Sequence, residues 1–212
     1  MKQLLIIGAR GFGREIYDLA INSLGYKVTF IIKGFLDDKK DALDEFVNYP
    51  SIVSSVENYA IQIDDVFICA LGSIHWKKHY IQVIIDRGGS FINLIHKNAT
   101  INTNVKLGNG IIISNNSIIS NDCMIDDFVV IQPFVCLGHD VKVGKWCHLN
   151  SYATATGNVT LEEEVCLQTR ATILPKIIIS SGVIVGACSL VIKNIKTKNC
   201  TFFGIPAKKI EF

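Results

Sequence analysis

The chain has 212 residues, 49% of them hydrophobic and only 19% charged, with four prolines and a formal net charge of +2. A disordered chain would be more polar, so a packed protein of one large or two compact domains is expected. The near-neutral balance offers no basic stripe for nucleic acid, and no run reaches the roughly 18 apolar residues of a membrane span. Neither kind of partner is expected.

Residues 1–95 alternate strands and helices. Leu4-Leu5-Ile6-Ile7 reads as a buried first strand, too short and wrongly flanked for a secretory signal, so a cytoplasmic protein is expected. Gly8, Gly11 and Gly13 follow it and open a helix read over Arg14–Asn22. A second strand covers Val28–Ile32 and ends near Gly34-Phe-Leu-Asp37-Asp38; a third covers Val66–Leu71 and runs into Gly72-Ser73. A helix over 75–86 and a last strand over Phe91–Ile95 complete a small, Rossmann-like parallel α/β sheet.

Glycine after a strand lets the backbone approach a phosphate, and the free N–H groups of the helix start receive it. The order GxxGxG departs from the standard dinucleotide fingerprint, and this stretch is short for a complete dinucleotide fold. A mononucleotide-sized ligand therefore fits better than a nicotinamide or flavin cofactor, with a ligand-free tight turn as the alternative. Asp37 and Asp38 are candidate acceptors for a ribose or base, against an ordinary charged turn. Gly72 joins Gly8, Gly11 and Gly13 as a candidate substrate-binding position.

From Ala99 the grammar changes. The sequence divides into six-residue units without an insertion, from Ala99 to Ile195. The first and third residues of these units, thirty-three positions in all, are without exception Ala, Val, Ile, Leu, Cys or Ser. About half of the chain consists of those types, so coincidence stands at about 2 to the minus 33. Positions one and three of a strand share a face, so a flat strand and a turn per unit, three units per coil, predict a parallel β-helix of about five coils.

Cys123 and Cys147 fall in this register with their neighbours Cys136 and Cys166. Seven cysteines without a CxxC pair argue against a disulfide framework or a structural zinc site. No metal is expected, and Cys147 and Cys166, read as inward-facing, are not proposed as nucleophiles.

Aliphatic-glycine pairs such as Leu107-Gly108, Leu137-Gly138, Val143-Gly144 and Val185-Gly186 make the units resemble the hexapeptide repeat of the left-handed β-helix acyltransferases. Gly8-Ala-Arg-Gly-Phe-Gly-Arg-Glu-Ile16, Leu94-Ile-His-Lys-Asn-Ala99 and the terminal Phe203-Gly-Ile-Pro-Ala-Lys-Lys209 extend the likeness over nearly the whole chain. Together they resemble the bacterial sugar O-/N-acyltransferase family, which includes sialic acid O-acetyltransferases and acetyltransferases of nucleotide-linked 4-amino sugars.

The resemblance implies a nucleotide-sugar-binding α/β domain (1–95), a catalytic left-handed β-helix binding acetyl-CoA (96–212), and a homotrimer with active sites between prisms. In Leu137-Gly-His139-Asp140-Val-Lys-Val-Gly144 it makes His139 the general base and Asp140 its orienting acid, a chemistry that suits imidazole near neutral pH. Whether Asp140 reaches the ring depends on the corner bending the chain. The same resemblance places His148 at the acetyl-CoA thioester, Gly157 at the oxyanion, Gly186 and Ala187 along the CoA arm, and Lys208 at the CoA phosphates. Gln132 stands where relatives can carry Asn and is a candidate substrate contact. Gln168-Thr-Arg170 replaces a glycine-containing segment near the acetyl-CoA channel.

The expected activity is acetyl transfer from acetyl-CoA to a nucleotide-linked amino sugar. O-acetylation of a sialic acid or another sugar hydroxyl is the nearest alternative, and a non-catalytic sugar-nucleotide-binding trimer the second.

Overall fold

The computed structural model describes residues 1–210. It divides into two compact units, Met1–Lys97 and a second beginning at Asn98. The boundary falls two residues beyond the expected one. Ser23 bridges His96, and the Lys97 N–H donates to the Asn22 carbonyl, so 96–97 are tied to the first unit. The Asn98 carbonyl already accepts from Asn116 in the solenoid.

The first unit holds strands β1 (Lys2–Ile7), β2 (Phe30–Leu36), β3 (Ile52–Ser54) and β4 (Asp65–Cys69) in a parallel sheet of order β3-β2-β1-β4. Helix α1 (Gly11–Ile21) follows β1, and α2 (Ile74–Asp86) follows β4. The apolar run Leu4–Ile7 is fully buried, as a central parallel strand covered on both faces must be. Four readings of the sequence need correction here: first, β2 runs over Phe30–Leu36 rather than Val28–Ile32, so Gly34-Phe35-Leu36 lies within the strand. Helix α1 starts at Gly11 rather than Arg14, because Gly11-Phe12-Gly13 is its first turn and not a loop. The short strand β3 carries no apolar run that would mark it. The last strand shrinks to β5 (Leu94–Ile95), with Phe91 making only a bridge to Phe67.

The second unit is a left-handed parallel β-helix. Its sixteen two-residue strands, β6 (Thr100–Ile101) to β21 (Leu190–Val191), fall on three faces, and each strand pairs with the one 18 residues away. Three strands per coil give a little more than five coils. From Ile111 to Val191 every first and third residue of a unit is buried.

The sixth residue of each unit, from Asn104 to Cys188, has positive φ, and only Gly110 and Gly182 among them are glycine. Such a backbone costs a non-glycine residue about 1–2 kcal/mol. The buried aliphatic side chains that most units place inside, at about 1.5–3 kcal/mol for each Val, Leu or Ile, outweigh it. Corner residues then stack one coil apart: Phe134 on Tyr152 at 4.8 Å and 3°, and Phe128 on Trp146 at 4.6 Å and 15°. The antiparallel pair β22 (Thr201–Phe203) and β23 (Lys208–Ile210) extends the third face.

Cys123 and Cys147 lie inside the prism, whereas Cys166 does not. It occupies the second, outward position of its strand and is half-buried, its Sγ receiving side-chain N–H groups from Asn150 (3.6 Å) and Gln168 (3.4 Å). Burial pushes its thiol up, so it remains an unpromising nucleophile for a different reason from the one its expected register gave.

Candidate functional sites

In the first unit the carboxyl ends of β1, β2 and β4 open into a pocket of about 410 Å³. The chain winds from β1 outward to β2 and β3, then returns to the other side of β1 for β4, and open α/β sheets bind ligands at such a reversal. Gly8, Asp37, Asp38 and Gly72 line it, as the sequence suggests. Gly11 and Gly13 do not line it; the role of Gly13 is packing, since a Cβ there would lie 2.0 Å from the Gly8 carbonyl oxygen. A Cβ on Gly11 or on Gly72 would meet nothing within 4 Å, so the protein's own packing does not demand either glycine.

Asp37 accepts the Ala9 N–H (2.9 Å) and the Lys39 N–H (2.9 Å), while Asp38 accepts the Tyr80 hydroxyl (2.6 Å). Sequence reasoning missed Arg10, Trp76 and Tyr80, which also line the pocket. The signal for the last two was available: they stand four apart on α2, directly after the Gly72-Ser73 turn, and so share a face.

In the second unit the resemblance singled out His139 and Asp140, on the corner between the first and second faces. Neighbouring residues of a flat strand would diverge. Here Asp140 takes positive φ (60°), and its Oδ2 lies 2.7 Å from His139 Nδ1. Both side chains are more than half exposed. With Asp140 ionised, Nδ1 carries the hydrogen and donates it, which leaves the lone pair on Nε2.

The coil above supplies Gly157, as the 18-residue period requires. A Cβ on Gly157 would lie 2.6 Å from His139 Nε2 and 2.8 Å from Cε1, so the imidazole rests where only glycine leaves room. The His139 carbonyl accepts the Asn158 N–H (2.8 Å), locking the two coils in register. Fifth-position N–H groups stand outside the backbone ladder, and at Asn109, Ser151 and Ser181 they donate to side chains. Among the described residues the Gly157 N–H has no acceptor.

His148 is not brought to this corner. It sits mid-strand on the third face, between Val130 and Cys166, with Nε2 enclosed, and that face lies opposite the edge that carries His139. Gln132 spends its side-chain oxygen on the Ser151 N–H and hydroxyl, each at 3.3 Å. Gln168 lies back on its own strand against Cys166. Gly186 has an internal reason to be glycine, because a Cβ would lie 2.3 Å from the Phe203 ring. Ala187 and Lys208 are exposed. Among the described residues no group of three or more His, Cys, Asp or Glu is placed to hold a metal.

Residues 3–84 match the PglD N-terminal domain family. Over its full length the chain superposes on PerB from Caulobacter crescentus, solved with CoA and GDP-perosamine, with a TM-score of 0.87 and 23% identity, covering 98% of that chain. Over 99% of both chains it superposes on the acetyltransferase domain of PglB from Neisseria gonorrhoeae FA1090, solved with acetyl coenzyme A, with a TM-score of 0.89 and 24% identity. WeeI from Acinetobacter baumannii AYE matches 99% of this chain and all of its own, with a TM-score of 0.82 and 21% identity. Residues 3–84 therefore resemble a PglD N-terminal domain, and end to end the chain shares the fold of PerB.

Proposed function

We propose that this protein transfers an acetyl group from acetyl-CoA to the amino group of a nucleotide-linked amino sugar, in bacterial surface-glycan biosynthesis. The observation that carries the reading is the His139–Asp140 pair over Gly157: a base with its lone pair fixed on Nε2, beside a backbone N–H without an internal acceptor. The shared fold supports it, since PerB was solved with both CoA and GDP-perosamine.

In the proposed reaction the sugar amine attacks the thioester carbonyl carbon and His139 Nε2 takes its proton. The Gly157 N–H stabilises the oxyanion. The C–S bond then breaks, CoA leaves as thiolate, and the amide remains on the sugar. His148 meets the thioester from a neighbouring subunit, because its own prism holds it on the side away from His139. A homotrimer follows from this reading. Ala187 and Lys208, exposed on the same unit, flank the CoA arm and its phosphates, while the N-terminal pocket holds the nucleotide. Both substrates place the reaction in the cytoplasm, and no described helix is long and apolar enough to cross a membrane.

The test is thiol release from acetyl-CoA with UDP-, dTDP- and GDP-linked 4-amino sugars, with free sialic acid alongside. Turnover with an amino sugar supports the reading. Turnover with sialic acid alone moves it to O-acetylation, and silence from all of them leaves a non-catalytic binding trimer.

A further inference from the structure

The residues that point outward from the third face stack one per coil: Ile112, Val130, His148, Cys166, Ile184 and Thr201. Their exposure changes along the stack. Ile112 and Val130 are each 1% exposed, His148 and Cys166 are half-buried, and Ile184 is 40% exposed. The face is therefore open from the C-terminal coils as far as His148 and closed one coil below it. Gln132, in the same coil as Val130, is fixed at the closed end. Its N–H donates to the Leu149 carbonyl (2.9 Å), its carbonyl accepts the Ser117 hydroxyl (3.0 Å), and its Oε1 accepts the Ser151 N–H and hydroxyl. Leu149 and Ser151 belong to the coil of His148, so the Gln132 side chain spans the step between the two coils and is not free to swing away.

We infer that Gln132, backed by Val130, limits the acyl donor to a two-carbon group. The inference rests on the acetyl-transfer reading and names what sets the acyl length in it. Lys208, assigned there to the CoA phosphates, belongs to the strand pair that extends this face at its open end. An acyl-CoA arm lying along the face therefore comes from that end and brings its thioester to His148. The acyl carbons beyond the carbonyl then point at the closed step. Successive coils stand about 4.8 Å apart, room for a methyl group but not for a longer chain. Each added methylene either presses on close-packed atoms or pushes the thioester back from the amine, and a displacement of about 1 Å is enough to cost about 10²-fold in rate.

Thiol release by the full chain with acetyl-, propionyl- and butyryl-CoA tests this, each donor with the same UDP-, dTDP- and GDP-linked 4-amino sugars. For whichever sugar turns over, kcat/KM is expected to fall about tenfold from acetyl to propionyl and at least as much again to butyryl. Gln132→Ala should bring propionyl to within about threefold of acetyl. Gln168→Ala, one coil above His148 and so on the arm side, should leave the ratio as it is. Equal or higher rates for the longer donors in the unmutated chain, or an unchanged ratio in Gln132→Ala, overturn the inference and leave acetyl transfer standing. A chain that turns over none of the donors overturns both. The ratio in the unmutated chain needs no variant, so a folding defect in Gln132→Ala cannot mask the result.

Discussion

His139 depends on two neighbours for two different things. Asp140 fixes which nitrogen carries the hydrogen, and Gly157 leaves the space in which the ring lies. His139→Ala should lower acetyl transfer by about 10²–10⁴-fold, and because the side chain is exposed the fold should survive, as circular dichroism would show. Asp140→Ala should cost less than His139→Ala, with Asp140→Asn recovering part of the rate, since an amide oxygen still accepts from Nδ1; kcat for the two variants checks this. Gly157→Ala drives a methyl group into the ring. Its expected signature is a rate loss of about 10²-fold with the melting temperature nearly unchanged, because an exposed ring can swing aside. A large fall in melting temperature with activity intact would contradict that placement. At this scale the sequence, read through the resemblance, singled out His139, Asp140 and Gly157, and the structure brings them into contact at a corner whose positive φ no residue type announces. Gln132 and Gly186 show the reverse: both were assigned to ligands, and both have an internal partner, Ser151 and Phe203.

The elements differ in how much of their logic is written locally. The solenoid was legible because a six-residue period leaves the same two positions inside every unit. Leu149→Ala, at a fully buried position, should cost about 2–5 kcal/mol in denaturant unfolding, whereas Lys142→Ala, one position outward from Val143, should stay within about 0.5 kcal/mol. Cys166 was misplaced because its register is one residue from the inward one and a cysteine suits either side.

In the first unit β3 and the cluster on β4 were illegible, since long-range contacts define them. Buried Asp65 accepts from Lys33 Nζ (2.8 Å), the Tyr59 hydroxyl (2.7 Å) and the Gln62 N–H (2.7 Å). Burial alone would raise its pKa, but these donors outweigh burial and hold it below the usual carboxylate value. A depressed folded-state pKa gives stability that is present above the unfolded value, near 3.9, and is lost as pH falls through the folded value. Acid unfolding of the N-terminal unit should therefore steepen below about pH 4, and Asp65→Asn should flatten that dependence while lowering stability at pH 7. An unchanged acid limb in the variant would assign the acid sensitivity to other carboxylates.

For the whole molecule, the separation of His139 and His148 on one prism makes the proposed assembly testable. If each site takes His139 from one subunit and His148 from the next, His139→Ala and His148→Ala chains are each impaired alone. Co-expressed, they should form mixed trimers, of three times 23.4 kDa, in which some sites regain both histidines and activity returns. A mixture no more active than its parts would place both histidines' functions within one chain. The most direct test of the central claim is the steady-state rate of acetyl transfer to a nucleotide-linked amino sugar, with the product identified by mass spectrometry, for the unmutated chain and His139→Ala side by side. The account predicts an N-acetylated sugar from the first and a loss of about 10²-fold or more from the second. Equal rates from the two chains, or acetyl-CoA left intact by both, would contradict it.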